Sequence, residues 1–333
     1  MWQVVGHETA VALLDNSLKS GKLSHAYLFV GPPHVGKMTL ALNLAQALNC
    51  EGDEKPCNAC SPCQRIAGLK HADVQVIGIN GRAEISIDQI REMERFVTLK
   101  PFEGRNRVFI IDGAEHLSPE AANCLLKTLE EPPPNVQLML LTVNERLLWP
   151  TVHSRCQKLE LRPLPILVVE QALIKRWEVA PERARVLAKL SSGCLGWAVG
   201  AFCDDQVLSE RMERLSALLQ LASEGRAERF TYAAQLASQF SRNRGAIREV
   251  LSLWVGWWRD LLLIKGGCRD FITNIDQETT LYREAGNYHF TGIKGFIESL
   301  QQAMEALVQN ANPRLVLDVL MLNMPKRKGG LEA

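Results

Sequence analysis

The stretch Gly31-Pro32-Pro33-His34-Val35-Gly36-Lys37 constrains this chain more than any other. It follows the apolar run Tyr27-Leu28-Phe29-Val30 and opens a helical pattern in which Leu40, Leu44 and Leu48 recur every four residues. Strand, glycine-bounded turn, lysine and helix make a phosphate-binding loop. Its backbone N–H groups wrap a phosphate, the helix N-terminus adds partial positive charge, and the lysine reaches the β/γ oxygens. Gly31, Gly36 and Lys37 fit the G-x-x-x-x-G-K spacing. The next position does not fit. A Ser or Thr there would give Mg²⁺ a hydroxyl ligand, whereas Met38 offers a thioether, a poor partner for a hard cation. Thr39 carries the nearest hydroxyl, but roughly 100° further round the helix. The loop predicts a nucleotide site with part of its chemistry missing.

A chain of 333 residues accommodates two or three domains, each with its own core. With 47% apolar and 23% charged residues and a net charge of +1, it reads as globular. That balance argues against a strongly basic nucleic-acid binder or a membrane-surface protein. No apolar run approaches the roughly 20 residues that span a bilayer, and the N-terminus has no signal-peptide pattern. Of nine cysteines, Cys50, Cys57, Cys60 and Cys63 crowd into fourteen positions, which fits a reducing compartment and one metal site better than a disulfide framework. The expectation is a cytoplasmic protein without a membrane partner.

Residues 1–24 read as a helix carrying Val11, Leu14 and Leu18 and ending near Gly21. From there to 161 five strand candidates alternate with helical patterns: Tyr27–Val30, Val74–Ile77, Val108–Ile111, Leu138–Thr142 and Gln157–Leu161. Their apolar, partly β-branched character predicts a mostly parallel sheet covered on both faces, a three-layer α/β domain. Pro163-Leu164-Pro165 interrupts the alternation. Beyond it only helices are expected: Ile166–Trp177, Pro181–Leu190 and Leu195–Phe202, then longer patterns over 206–324 punctuated by Gly225, Ser241–Arg244 and Gly266-Gly267. The basic end, residues 325–330, reads as frayed. The division expected is 1–163, 164–205 and 206–325, α/β and then all-α.

A second nucleotide signal is Val108-Phe109-Ile110-Ile111-Asp112, an apolar strand ending in an aspartate. Alone Asp112 reads as a turn or helix-capping residue, but after a phosphate loop the position that helps hold Mg²⁺ in phosphate-loop ATPases is favoured. Gly113 follows where many such enzymes place a water-activating acid, and Glu115 is expected to point elsewhere. Further on, Ser118 is a good N-cap, Pro119 suits a first helical position, and Pro132 stops the helix.

The cysteines form C-x₆-C-x₂-C-x₂-C in a turn-rich segment containing Gly52, Pro56 and Pro62. Two tight C-x₂-C steps gather thiolates on one side of a knuckle, and a fourth closes a tetrahedral Zn²⁺ shell without an open position. An iron–sulfur cluster is the rival, but here the fourth cysteine comes first and no electron-transfer partner is evident. Zinc is favoured, as a structural site. Cys124, Cys156, Cys194, Cys203 and Cys268 read as inert core thiols, and Trp254, Trp257, Trp258 and Leu261 as a buried helix face.

The string Asn123-Cys124-Leu125-Leu126-Lys127-Thr128-Leu129-Glu130-Glu131-Pro132-Pro133 closely resembles the signature of bacterial sliding-clamp loader subunits, a branch of the AAA+ ATPases. Leu141-Thr142, followed by Ser154-Arg155-Cys156, is similar to that family's sensor-1 region and its Ser-Arg-Cys motif, and a four-cysteine insert after the first helix also occurs there. The resemblance covers nearly the whole chain. It implies a AAA+ P-loop domain with a zinc knuckle, a helical lid and a C-terminal helical collar. It also implies that Arg155 is an arginine finger inserted in trans into a neighbour's ATP site, whereas the arginine read without the surrounding string would be a surface salt bridge. Trp197 stands where ATP-hydrolysing relatives carry a sensor-2 arginine. With Met38, Gly113 and Trp197 replacing catalytic groups, the chain resembles the non-hydrolysing branch of the DNA polymerase III loaders.

On that resemblance the degenerate nucleotide site is Gly31, Gly36, Lys37, Thr39, Asp112 and Thr142, holding ATP or ADP without hydrolysis. The implied partners are gamma/tau-type and delta-type subunits in a pentameric ring, the sliding clamp, and primed DNA through the complex. The alternatives are a hydrolysing gamma/tau-type subunit, a stand-alone AAA+ ATPase, or a zinc-dependent nucleic-acid binder. The last has little basic flank beyond Lys55, Arg65 and Lys70.

Overall fold

The computed structural model describes residues 2–79, 81, 84–240 and 243–327. Ser241 and Arg242 of the expected breakpoint, and residues 328–330 of the basic end, lie outside the described residues. The chain divides into two compact units, Met1–Ala172 with Gly193–Trp197, and Leu173–Ser192 with Ala198–Ala333.

The first unit is built on a sheet of β1 (Ala26–Val30), β2 (Val74–Ile77), β3 (Arg107–Asp112), β4 (Val136–Thr142) and β5 (Gln157–Glu160), all parallel in the order β2-β3-β4-β1-β5. All five expected strands form, within two residues of their expected limits. Successive side chains on a strand face opposite sides. Leu28, Phe109, Ile111, Leu138 and Leu140 accordingly join one buried cluster, while Tyr27, Phe29, Val108, Ile110, Met139 and Leu141 join another. The first cluster is closed by α4 (Ile87–Val97) and α5 (Pro119–Glu130), the second by α1 (Glu8–Ser20), α2 (Lys37–Asn49) and α3 (Ser61–Ala67). This is the three-layer architecture the strand pattern implied. The short α6 (Pro150–His153) precedes β5.

The first helix starts at Glu8, not at the beginning of the chain. Gly6 and His7 have φ of 69° and 58°, and that left-handed turn breaks any helix before them. Its far end behaves as expected: Gly21 is left-handed, and the N–H groups of Gly21 and Lys22 close on the carbonyls of Leu18 and Ser17.

From residue 166 the described chain is helical: α7 (Ile166–Trp177), α8 (Pro181–Leu190), α9 (Leu195–Cys203), α10 (Asp205–Ser223), α11 (Arg226–Phe240), α12 (Arg244–Lys265), α13 (Glu278–Gly286), α14 (Phe290–Val308) and α15 (Pro313–Leu322). The unit boundary cuts α7 and α9. Helices α10 to α15 enclose a core centred on α12, where Trp254, Trp257, Trp258 and Leu261 are at most 1% exposed. The tryptophan stripe is therefore packing. Trp258 meets the rings of Tyr288 and Phe296 edge-on at 4.9 and 5.0 Å. Two cysteines depart from expectation: Cys203 and Cys268 are exposed rather than core thiols, because they fall at the last residue of α9 and just beyond α12. Among the described residues no helix is long and apolar enough to cross a membrane.

Candidate functional site

The phosphate loop joins β1 to α2 at the carboxyl edge of the sheet. There the strand ends are in register, Val30 beside Thr142 and Leu141 beside Asp112. Gly31 donates its N–H to the Thr142 carbonyl at 3.2 Å, and a Cβ on it would fall 2.3 Å from the Leu161 carbonyl oxygen. Gly36 has φ 115°, a conformation that suits only glycine. The sheet thus gathers Gly31, Gly36, Lys37, Asp112 and Thr142 at one edge.

What these groups do there differs from an open ATP site. Lys37 is buried, and its Nζ donates to the carbonyls of Gly31 and Pro32 at 2.6 and 2.8 Å, so the lysine is folded onto its own loop. On the outer side, the Gly196 N–H donates to the His34 carbonyl at 2.9 Å, and a Cβ at Gly196 would come within 2.8 Å of that oxygen. The first turn of α9 therefore lies directly against the loop, with Trp197 in it and no arginine. Met38 packs against the α1–α2 side of the core, and Thr39 is exposed. Thr142 is buried, its hydroxyl donating to the Asn144 carbonyl at 3.1 Å and accepting from the Asn144 N–H at 3.2 Å.

Asp112 is exposed as a residue, yet its carboxyl is crowded by protein atoms. That desolvation raises its pKa, Lys37 opposes the rise and Glu115 adds to it. Gly113 has φ 75° and turns the chain into a 3₁₀ turn, Ala114–His116. The turn brings Glu115 back toward the strand ends, where Oε1 accepts from the Val143 N–H at 3.4 Å. The expectation that Glu115 points elsewhere is thus corrected.

Arg155 lies in the turn between α6 and β5. Its Nη2 donates to Glu130 Oε1 at 2.6 Å, and its Nη1 to the Thr151 carbonyl at 2.9 Å and to Ser154 Oγ at 3.2 Å. Among the described residues it has no contact with its own phosphate loop.

The four cysteines of the knuckle converge, their sulfurs all within 4.8 Å of one another. Zn–S bonds of about 2.3 Å in a tetrahedron need sulfurs about 3.8 Å apart, which this cluster fits. Backbone N–H groups of Gly52, Cys57 and Cys60 point at the sulfurs of Cys50 and Cys57 over 3.3–3.4 Å, donors suited to thiolates. Those of Cys60 and Ala59, in that order, bring the Cys57 thiol down to about 6. A Cβ on Gly52 would sit 3.0 Å from that of Cys57, so the knuckle packs closely against this glycine. Cys50, Cys57, Cys60 and Cys63 are the residues that would hold zinc, which would cross-link the segment between α2 and α3.

Three features had no sequence signal: Lys37 folded onto its loop, Gly196 against His34, and Glu130 beside Arg155. Each joins residues whose spacing says nothing about their contact.

The sheet order, the glycine-bounded loop after β1 and the strand-end aspartate are those of a AAA+ type P-loop fold. Residues 6–165 match the family described as "DNA polymerase III, delta subunit", and 206–326 match "DNA polymerase III, delta subunit, C terminal". The chain is 29% identical over 311 residues to the DNA polymerase III subunit delta' of Bacillus subtilis, covering 93% of each. It is 35% identical over 199 residues to subunit tau of Escherichia coli, covering 58% of this chain and 31% of that one. A crystal structure of a DNA polymerase III gamma subunit-related protein from Thermotoga maritima aligns at TM-score 0.43 and 17% identity, over 93% of this chain and 97% of that one. The chain belongs to the DNA polymerase III delta'-type clamp-loader family.

Proposed function

We propose that this chain is a catalytically silent subunit of the polymerase III clamp loader that supplies Arg155 in trans to the ATP site of a neighbouring subunit. One contrast carries the reading. The groups that would make its own site hydrolytic are replaced by Met38, Gly113 and Trp197, whereas Arg155 is retained on the surface at the Ser-Arg-Cys turn. A guanidinium there is planar, always charged and matched to phosphate oxygens. Any nucleotide held by Gly31, Gly36, Lys37, Thr39, Asp112 and Thr142 is not hydrolysed, and Lys37 must leave its loop carbonyls to reach it.

On this reading residues 164–205 serve as the lid and 206–325 as the collar of a pentameric ring with gamma/tau-type and delta-type subunits. The ring opens the sliding clamp and places it on primed DNA. The zinc knuckle serves folding only.

The test is clamp- and DNA-stimulated ATP turnover by the reconstituted loader. Arg155→Ala is expected to abolish turnover at one site, since an arginine finger contributes on the order of 10³–10⁵ in rate. Lys37→Ala is expected to leave turnover nearly intact. The reverse result would make this chain a motor of the gamma/tau type.

A further inference from the structure

Arg155 is long and half-exposed, and a side chain of that kind ordinarily samples many rotamers. Here it does not stand free. Of its five N–H donors, three are taken by its own chain: two by the Thr151 carbonyl and Ser154 Oγ, one by Glu130. The Ser154 hydroxyl in turn donates to the same Thr151 carbonyl at 3.2 Å. The guanidinium is held from two sides, with two donors left for an incoming anion.

Glu130 sits where a carboxylate is least welcome. It is the last residue of α5, at the end of the helix that carries partial negative charge. Its contact with Arg155 is in the short, charge-assisted range. The adjacent Glu131 has no such partner among the described residues, so the pairing is specific to one of the two acids. The ion pair is solvent-accessible and contributes little to folding. A role in orienting the arginine accounts for it better than one in stability.

We infer that Glu130 is a positioning residue for Arg155: together with Ser154 it fixes the guanidinium in one orientation before a neighbour's nucleotide arrives. The inference rests on the reading of Arg155 as a trans-acting finger. It couples two segments far apart in sequence, the end of α5 and the Ser-Arg-Cys turn.

The experiment uses the loader reconstituted with the full chain, and measures kcat and KM for ATP with clamp and primed DNA. Glu130→Ala is expected to lower kcat at the dependent site by about ten- to a hundred-fold, as misplacement of a catalytic group does. KM, loader assembly and melting temperature are expected to stay unchanged. Glu131→Gln is the control and should behave as the parent. Glu130→Gln retains a neutral hydrogen-bond acceptor and should restore most of the rate. Glu130→Ala combined with Arg155→Ala should be no slower than Arg155→Ala alone.

If Arg155→Ala is deleterious and Glu130→Ala is silent or raises turnover, the positioning role is overturned while the finger stands. An additive double variant overturns it equally, because Glu130 would then act through another group. If Arg155→Ala itself is silent, the finger reading fails and the positioning role falls with it.

Discussion

Asp73 survives in the interior because its carboxylate is surrounded by donors. It is 1% exposed and accepts from the N–H groups of Phe102, Glu103 and Gly104 at 2.7–2.9 Å, with an Arg107 nitrogen at 3.2 Å. Burial pushes its pKa up, but the three N–H donors and Arg107 outweigh burial and hold it below the ordinary carboxylate value. A depressed folded pKa means the stabilisation is fully present above the unfolded pKa and is lost as pH falls through the folded one. Asp73→Asn keeps the shape and removes the charge, so it should cost about 2 kcal/mol at neutral pH, the scale of a hydrogen bond to a charged group. It should also flatten the acid limb of a stability profile measured by urea unfolding between roughly pH 3 and 7. An unchanged acid limb in the variant would assign the acid sensitivity to other carboxylates.

At the scale of elements, the knuckle makes the sharpest claim. Purified protein should contain one zinc per chain by elemental analysis, and Cys60→Ser should bring that below one, since a closed site needs four ligands. Iron in place of zinc would overturn the assignment. The knuckle was legible because two C-x₂-C steps constrain geometry directly, and β1 to β4 were legible because their mainly apolar runs lie between clear breakers, whereas β5 has only Leu159 buried among exposed polar residues. Helix α5 was legible to the residue: Ser118 accepts from the Ala121 N–H, Pro119 opens the helix, and Glu130 ends it before Pro132. The start of α1 was not legible, because its limit is a left-handed turn at Gly6-His7 preceded by apolar residues that continue the pattern. Nor was the course of Glu115 after Gly113. A glycine announces that a turn is permitted without saying where the following side chain goes.

For the whole molecule, the hydrophobic clusters respect the two units. Two flank the sheet within residues 10–161, and the third lies wholly within residues 215–324. A cavity made in one cluster therefore removes contacts from that unit alone. Trp258→Ala deletes a side chain that is 1% exposed and meets two other rings. Such truncations cost about 3–5 kcal/mol, which for a unit of this size corresponds to a shift on the order of 10 °C. Calorimetry of the full chain should resolve two transitions, with Trp258→Ala lowering one and chelation of zinc lowering the other. If both perturbations instead lower a single transition together, the units unfold as one cooperative body, and the separation of their cores has no thermodynamic counterpart.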